Sequence, residues 1–143
     1  MADGGVVRET TLHGIPVAVN EPVGVIGIAC PEEAPLLGFV SLMAPAIARG
    51  NTVVMIPSQP HPLSATDFYQ VLDTSDVPGG VVNILTGDRD HLTKTLMEHD
   101  DVDAMWYFGD PLGCYHVEHA SATNMKRTWV DYGRESDWAS REQ

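Results

Sequence analysis

Apolar runs alternate with amphipathic segments along most of the chain, and short breaks rich in glycine, proline or polar residues separate them. Five of the runs have strand length and contain many β-branched or aromatic residues, which predicts strands that are covered on both faces. They are residues 23–30, 52–56, 81–85, 104–108 and 128–132. The intervening segments predict four helices, over residues 35–48, 64–72, 90–98 and 111–122.

Strands that alternate with helices through short connections are typical of a parallel sheet with right-handed crossovers. The sequence therefore predicts an α/β fold, a Rossmann-like doubly wound sheet of five parallel strands. Two shorter alternating segments, 6–12 and 15–20, flank His13-Gly14 and predict an N-terminal β-hairpin.

The same patterns predict where helices begin and end. Arg49-Gly50 is expected to end the first helix, and Ser64 is a plausible N-cap of the second. Asp110 precedes the fourth helix inside the loop GDPLG, a position that suits anion binding, although capping of the helix by Asp110 itself is the favoured interpretation.

Composition narrows the possible partners. The net charge of −12 argues against nucleic acid and anionic membranes, both of which favour Lys and Arg. The most apolar stretch, 35–48, is too short to span a bilayer, and the N-terminus lacks the apolar core of a signal peptide. Cys30 and Cys114 lie far apart without a CxxC pattern, which fits a reducing compartment and predicts a cytoplasmic location.

No short sequence motif gives strong evidence for a cofactor-binding or metal-binding site. The dinucleotide fingerprint GxGxxG is absent, and Gly24 and Gly27 fall inside the first parallel strand, where they are expected to serve packing. His116, His119 and Cys114 on one helix lack the closed ligand set of a zinc site, so surface histidines are the better interpretation and no metal is expected. Trp106, Tyr107, Trp129 and Trp138 are expected to be core or interface aromatics.

The order of segments is more specific. The stretches EPVGVIGIACP, ARGNTVVMIPS, HPLSA, VPGGVVNILTGD and DVDAMWYFG follow one another with the spacing of the aldehyde dehydrogenase superfamily. The chain resembles the coenzyme-binding domain of that superfamily from about residue 17 to residue 136, and is most similar to the degenerate second module of aldehyde dehydrogenase family 16. The resemblance divides the chain into part of an oligomerisation ribbon (1–20), a coenzyme-binding domain (21–136) and a tail (137–143).

The resemblance implies catalytic positions that this chain has changed. Glu33 stands where active members carry an Asn whose amide stabilises the oxyanion, and a carboxylate offers no such N–H donor. Asp131 stands where the family has its general-base Glu. The family's nucleophilic cysteine is expected a few tens of residues after Asp131, at a position beyond Gln143. We therefore assign no catalytic residue.

The positions that resemble the NAD site are also altered. Ile56 replaces the Lys that hydrogen-bonds the adenosine ribose, and Asp110 replaces the Ser of the phosphate loop, over which the family's pyrophosphate lies. The full set of degenerate cofactor positions is Ile56, Pro57, Ser58, Gln59, Gly87, Gly109 and Asp110. A carboxylate beside a pyrophosphate is repulsive, so no cofactor is expected.

These substitutions lead to three hypotheses. The first is a catalytically inactive structural or protein-interaction module, whose partner is itself or another protein. The second is the NAD-binding portion of an oxidoreductase that oxidises aldehydes to carboxylic acids. The third is an unrelated Rossmann-like domain for a small molecule.

Overall fold

Parallel strands and helices alternate along the chain in the computed structural model, which describes residues 6–7 and 17–140. The strands are β1 (Val6–Val7), β2 (Val17–Ala18), β3 (Val25–Ala29), β4 (Thr52–Ile56), β5 (Val82–Ile84), β6 (Ala104–Tyr107) and β7 (Arg127–Val130). The helices are α1 (Pro35–Ala48), α2 (Leu63–Thr74), α3 (Arg89–Glu98) and α4 (Pro111–Asn124). The predicted α/β fold class is confirmed.

The central sheet has the strand order β5-β4-β3-β6-β7, and every neighbouring pair is parallel. The chain builds outward from β3 in one direction as far as β5, then returns to the other side of β3 to add β6 and β7. The connections therefore diverge between β3 and β6. In open α/β sheets a crevice forms at such a point, beyond the carboxyl ends of the strands.

Two hydrophobic clusters cover the two faces of the sheet. Residues of α1 and α2, including Phe39 and Leu42, pack with Ile26, Ile28 and Met55 on one face. Leu96 and Met97 of α3 and Val117 of α4 pack on the other. In the part of the chain described here, none of the helices combines the length and the hydropathy of a membrane span.

The helix ends differ from the sequence predictions at one cap. Helix α2 begins at Leu63 with Pro62 at the N-cap, so the prediction that Ser64 caps it is wrong. Proline holds φ near −65°, and Pro62 already has helical angles of −73° and −22°, which lets the helix begin before Ser64. Gly50, with φ of +83°, follows the end of α1 as expected.

The N-terminal ribbon and the C-terminal segment lie outside the five-stranded sheet. Strands β1 and β2 pair antiparallel, and the predicted turn at His13-Gly14 lies outside the described residues. The predicted tail is described as far as Ser140 and packs back onto the domain. Trp138 is buried with its ring 5.4 Å from that of Phe108, so the folded unit extends beyond residue 136.

One buried amide fastens the start of β3 to the end of α1. The Asn51 side chain accepts hydrogen bonds from the backbone N–H of Val23 (2.7 Å) and Gly24 (3.1 Å), and it donates to the carbonyl of Ala46 (2.9 Å). Gly24 has φ of +124°, and a Cβ on it would lie 2.2 Å from an Asp103 oxygen. The position at which β3 begins is therefore fixed by side-chain contacts as well as by pairing with the neighbouring strands.

We expect Asn51→Ala to lower the free energy of unfolding by about 2–3 kcal/mol, because three hydrogen bonds are lost at a largely buried site. Urea unfolding followed by circular dichroism measures the change. Gln70→Ala, at an exposed position of α2, is the control and should stay within about 0.5 kcal/mol. An equal, small effect of both changes would show that Asn51 does not fasten β3.

Candidate functional site

A cavity of about 490 Å³ opens at the carboxyl ends of the central strands. We call it the strand-end cavity. Its walls come from the loops after β3, β4, β6 and β7 and from the first turn of α3. The lining residues are Glu32, Glu33, Gln59, Arg89, Asp90, Tyr107, Phe108, Gly109, Asp110, Asp131, Gly133 and Glu135. The cavity occupies the crevice that the strand order creates.

The structure brings five of the residues singled out in the sequence to this cavity. They are Glu33, Gln59, Gly109, Asp110 and Asp131. The other four, Ile56, Pro57, Ser58 and Gly87, are absent from its lining. Five of the nine positions that the family resemblance indicated therefore line the cavity, and four do not.

The residues of β4 and its loop that do not line the cavity have structural contacts. Ile56 is 1% exposed and packs in the cluster beneath α3 and α4. Ser58 is fully buried, and its hydroxyl donates to the backbone carbonyl of Glu32 at 3.3 Å. This bond ties the loop after β4 to the loop after β3.

Glu32 and Glu33 lie in the short loop between β3 and α1, and both are exposed. Ala34 ends that loop in the left-handed region, with φ of 49° and ψ of 60°. A non-glycine residue in that region costs on the order of 1–3 kcal/mol and is held by its surroundings. Here the next residue is Pro35, the first of α1, so the loop must turn sharply while it presents both glutamates.

Asp131 organises the far side of the cavity. One carboxylate oxygen, Oδ1, accepts hydrogen bonds from the backbone N–H of Gly109 and of Gly133, each at 3.1 Å. The Cys114 thiol lies 3.8 Å from the same oxygen. The carboxylate thus joins the loops after β6 and β7, and Oδ1 is engaged by these contacts.

Asp110 caps helix α4, as its position in the sequence predicted. Its Oδ2 accepts from the backbone N–H of Gly113 at 3.1 Å, and its Oδ1 accepts from the Tyr107 hydroxyl, also at 3.1 Å. The hydrogen bond from Gly113 is the main reason that the pKa of Asp110 lies below its ordinary value. The helix terminus that would attract an anion therefore already holds a carboxylate of its own chain.

Arg89 is one of the cavity residues that sequence reasoning missed. Its side chain is 6% exposed, its guanidinium lies 4.9 Å from the centre of the Tyr107 ring, and Nη2 donates to the carbonyl of Phe108. Its backbone N–H donates to Gln59 Oε1 at 3.3 Å. The sequence offered one indication that Arg89 lies near the site: it is the first residue of α3 and comes directly after the loop that follows β5.

Two glycines make room for Tyr107 and Arg89. A Cβ on Gly109 would lie 3.0 Å from Arg89 Nη2 and 3.0 Å from Tyr107 Cε1, and a Cβ on Gly113 would lie 2.2 Å from the Tyr107 hydroxyl oxygen. Burial raises the pKa of Tyr107 to about 12, so its hydroxyl remains a donor at neutral pH. The glycines of this loop thus accommodate the chain's own side chains.

Both cysteines are free thiols and fully buried. Burial raises the pKa of Cys30 to about 12 and also raises the pKa of Cys114. A thiolate is the reactive form of cysteine, so neither side chain is suited to act as a nucleophile at neutral pH.

A second cavity, of about 550 Å³, lies between α3 and α4. Its wall is more apolar, with Met97 and Val117, and carries the Lys94–Glu98 ion pair at 3.9 Å. His116 and His119 also line it and are exposed. Within the described residues, no three His, Cys, Asp or Glu side chains are grouped to hold a metal ion.

The sequence of this chain is similar to sequences of known proteins. Residues 2–139 match the model of the aldehyde dehydrogenase family. The chain is 36% identical over 133 residues to the NADP/NAD-dependent aldehyde dehydrogenase PuuC of Escherichia coli, covering 92% of this chain and 27% of that protein. It is 34% identical over 118 residues to the cytosolic 10-formyltetrahydrofolate dehydrogenase of Xenopus tropicalis, covering 82% of this chain and 13% of that protein.

Solved structures show the same likeness. Apo betaine aldehyde dehydrogenase from Staphylococcus aureus superposes with a TM-score of 0.84 at 27% identity, over 91% of this chain and 26% of that one. An NAD+ complex of aldehyde dehydrogenase from Bacillus cereus gives 0.84 at 26% identity, over 88% and 26%. The chain thus spans about a quarter of the length of these structures.

We expect Asp110→Ala to destabilise the chain by about 1 kcal/mol at pH 7, because a side-chain cap of α4 is lost. Asp110→Asn is the matched control, since its amide oxygen can still cap the helix. The folded pKa of Asp110 is depressed, so its extra stability is present above the ordinary pKa of 3.8 and is lost as the pH falls through the lower folded value. Urea titrations should therefore give a constant difference between pH 7 and 5. A difference that vanished within that range would contradict the assignment.

Proposed function

The chain belongs to the aldehyde dehydrogenase family, and from that premise we propose that it is a catalytically inactive member that serves as a structural or protein-interaction module. The observation that carries this proposal is the charge of the strand-end cavity. Six carboxylate side chains and one guanidinium line it, and two of the carboxylates stand at positions where the family resemblance implies an Asn and a Ser.

The residues present do not fit NAD. A pyrophosphate adds about two negative charges, and at about 5 Å with an effective dielectric constant near 20 each like-charge pair costs roughly 3 kcal/mol before screening. Asp110 already caps α4, so the amide groups of the helix start cannot offset that repulsion fully. Ile56 is buried and offers no hydrogen bond to a ribose.

The second candidate is the NAD-binding portion of an aldehyde-oxidising enzyme. The named relative from Escherichia coli is NADP/NAD-dependent, and the Bacillus cereus structure that covers 88% of this chain is an NAD+ complex. Retention of the whole sheet and of Gly109 favours this reading. The two candidates differ in one measurable property, the affinity for NAD.

Calorimetry of the chain with NAD tests the choice directly. We expect a dissociation constant near 1 mM or weaker. Glu33→Asn combined with Asp110→Ser removes two exposed carboxylates from the cavity and should tighten binding about tenfold or more, which corresponds to about 1.4 kcal/mol. Ile56→Lys is unsuitable because position 56 lies in the core.

The control for this experiment is Asp67→Asn with Asp73→Ser, which makes the same charge change at exposed positions of α2. Micromolar binding by the unaltered chain would falsify the inactive assignment in favour of the second candidate. If the control improves binding as much as the cavity variant, net charge rather than the cavity governs affinity.

We also expect no NADH production from a panel of aldehydes. The family reaction needs a thiolate, and burial raises the pKa of both cysteines. A thiol-reactive chromophore should accordingly label the native chain far more slowly than the chain in urea. Turnover that disappears on Cys30→Ser or Cys114→Ser, and that exceeds a denatured sample, would contradict this expectation.

A further inference from the structure

The five-stranded sheet has two edge strands, β5 and β7, and they differ in the charges around them. Residues 73–88, which include β5, hold three aspartates and no Lys or Arg. Residues 126–134, which include β7, hold cations as well as an aspartate. An exposed strand edge is a template for pairing with another chain. In a chain of net charge −12, two β5 edges would repel each other, whereas two β7 edges can set cation against anion.

The backbone of β7 offers hydrogen-bonding groups on its outer side. Its inner side pairs with β6, where the Arg127 N–H donates to the Asp103 carbonyl at 3.2 Å. Since successive residues of a strand direct these groups to opposite sides, those of Thr128 and Val130 point away from β6. Among the residues that the structure describes, β6 is the one strand paired with β7. The outer groups can therefore pair with an added strand.

A second copy of β7 can meet these groups in one antiparallel register. With a two-fold axis at Trp129, Thr128 of each copy lies opposite Val130 of the other, and each such pair exchanges two hydrogen bonds. Trp129 then lies opposite its own copy, and Arg127 lies opposite Asp131. An axis moved by one residue in either direction sets Arg127 opposite Trp129 or Gly133 and loses the opposite charges. The charges therefore select the axis at Trp129.

The side chains along the β7 edge fit such a contact. The Trp129 side chain is 47% exposed, although its ring lies 5.1 Å from the rings of Trp106 and Phe108. Arg127 is exposed and forms no ion pair with the described residues, and Asp131 is partly exposed. A second copy would bury the apolar ring and give each Arg127 a carboxylate, and both changes favour association.

We propose that two copies of this chain associate through β7, antiparallel about a two-fold axis at Trp129, and so join their sheets into one. The contact deepens the proposed function, on which it rests, because it makes a second copy the partner of the interaction module. It uses the outer backbone groups of β7 and the opposite charges that stand at equal distances before and after Trp129.

Sedimentation equilibrium of the full chain over a concentration series tests the association. We expect a reversible equilibrium with a dimer of twice the 15.5 kDa chain mass. Arg127→Glu should weaken it about tenfold or more, since both ion pairs become like-charge pairs. Arg49→Glu makes the same change of net charge at an exposed position after α1 and should weaken it less than about twofold. Equal weakening by both changes, or a single-chain mass at concentrations up to about 1 mM, overturns the interface.

A disulfide trap tests the register. Opposed residues of a non-hydrogen-bonded antiparallel pair have Cα atoms about 4.5 Å apart, within reach of a disulfide. Oxidation should therefore cross-link Trp129→Cys to its own copy. Thr128→Cys is the matched control, because position 128 faces its own copy diagonally, at about 7–8 Å, which is too far for the bond. The native thiols of Cys30 and Cys114 are fully buried and should not compete.

Circular dichroism establishes that each variant folds, and Arg127→Glu decides the proposal if Trp129→Cys does not. Failure of folded Trp129→Cys to cross-link, or equal cross-linking of Thr128→Cys, overturns the register and with it the proposal. A monomeric chain overturns this inference alone, whereas micromolar NAD binding overturns the proposed function.

Discussion

The packing of the Tyr107 ring governs the arrangement of the loops around the cavity. The ring is 2% exposed, it is stacked by the Arg89 guanidinium, and its hydroxyl donates to Asp110. It occupies the space that Gly109 and Gly113 leave beside the start of α4. A single side chain of β6 therefore fixes the loop after its own strand, the first turn of α4 and the guanidinium from α3.

This arrangement explains how a family member can keep the sheet while its cavity changes character. The order of the strands is set by buried apolar residues that contact no ligand, so the crevice remains. The side chains at the strand ends are free to vary, and here the cavity lining includes the carboxylates of Glu33 and Asp110 and the guanidinium of Arg89. Stability therefore depends on the buried apolar residues of the sheet and helices, whereas ligand chemistry depends on the side chains at the strand ends.

Sequence periodicity was sufficient to predict the parallel sheet, because each strand is a short apolar run between clear breaks in the sequence. The residue types at helix ends also identified the N-cap Asp110 and the end of α1 at Arg49-Gly50, where the local chemistry is decisive. They failed at Ser64, since the fixed φ of Pro62 started the helix earlier. Neither pattern could find Arg89, because a long charged side chain at a helix start is ordinarily exposed, and only the packing of Tyr107 shows that this one turns inward.

The aromatic contacts along β6 and β7 have a spectroscopic consequence. The rings of Trp106 and Trp129 lie 5.1 Å apart, and Phe108 lies 5.1 Å from Trp129 and 5.4 Å from Trp138. These are all three tryptophans of the chain. Intrinsic emission therefore reports on the β6–β7 half of the sheet and on the C-terminal segment that covers it, while loosening of β5 or of the N-terminal ribbon leaves the signal largely unchanged.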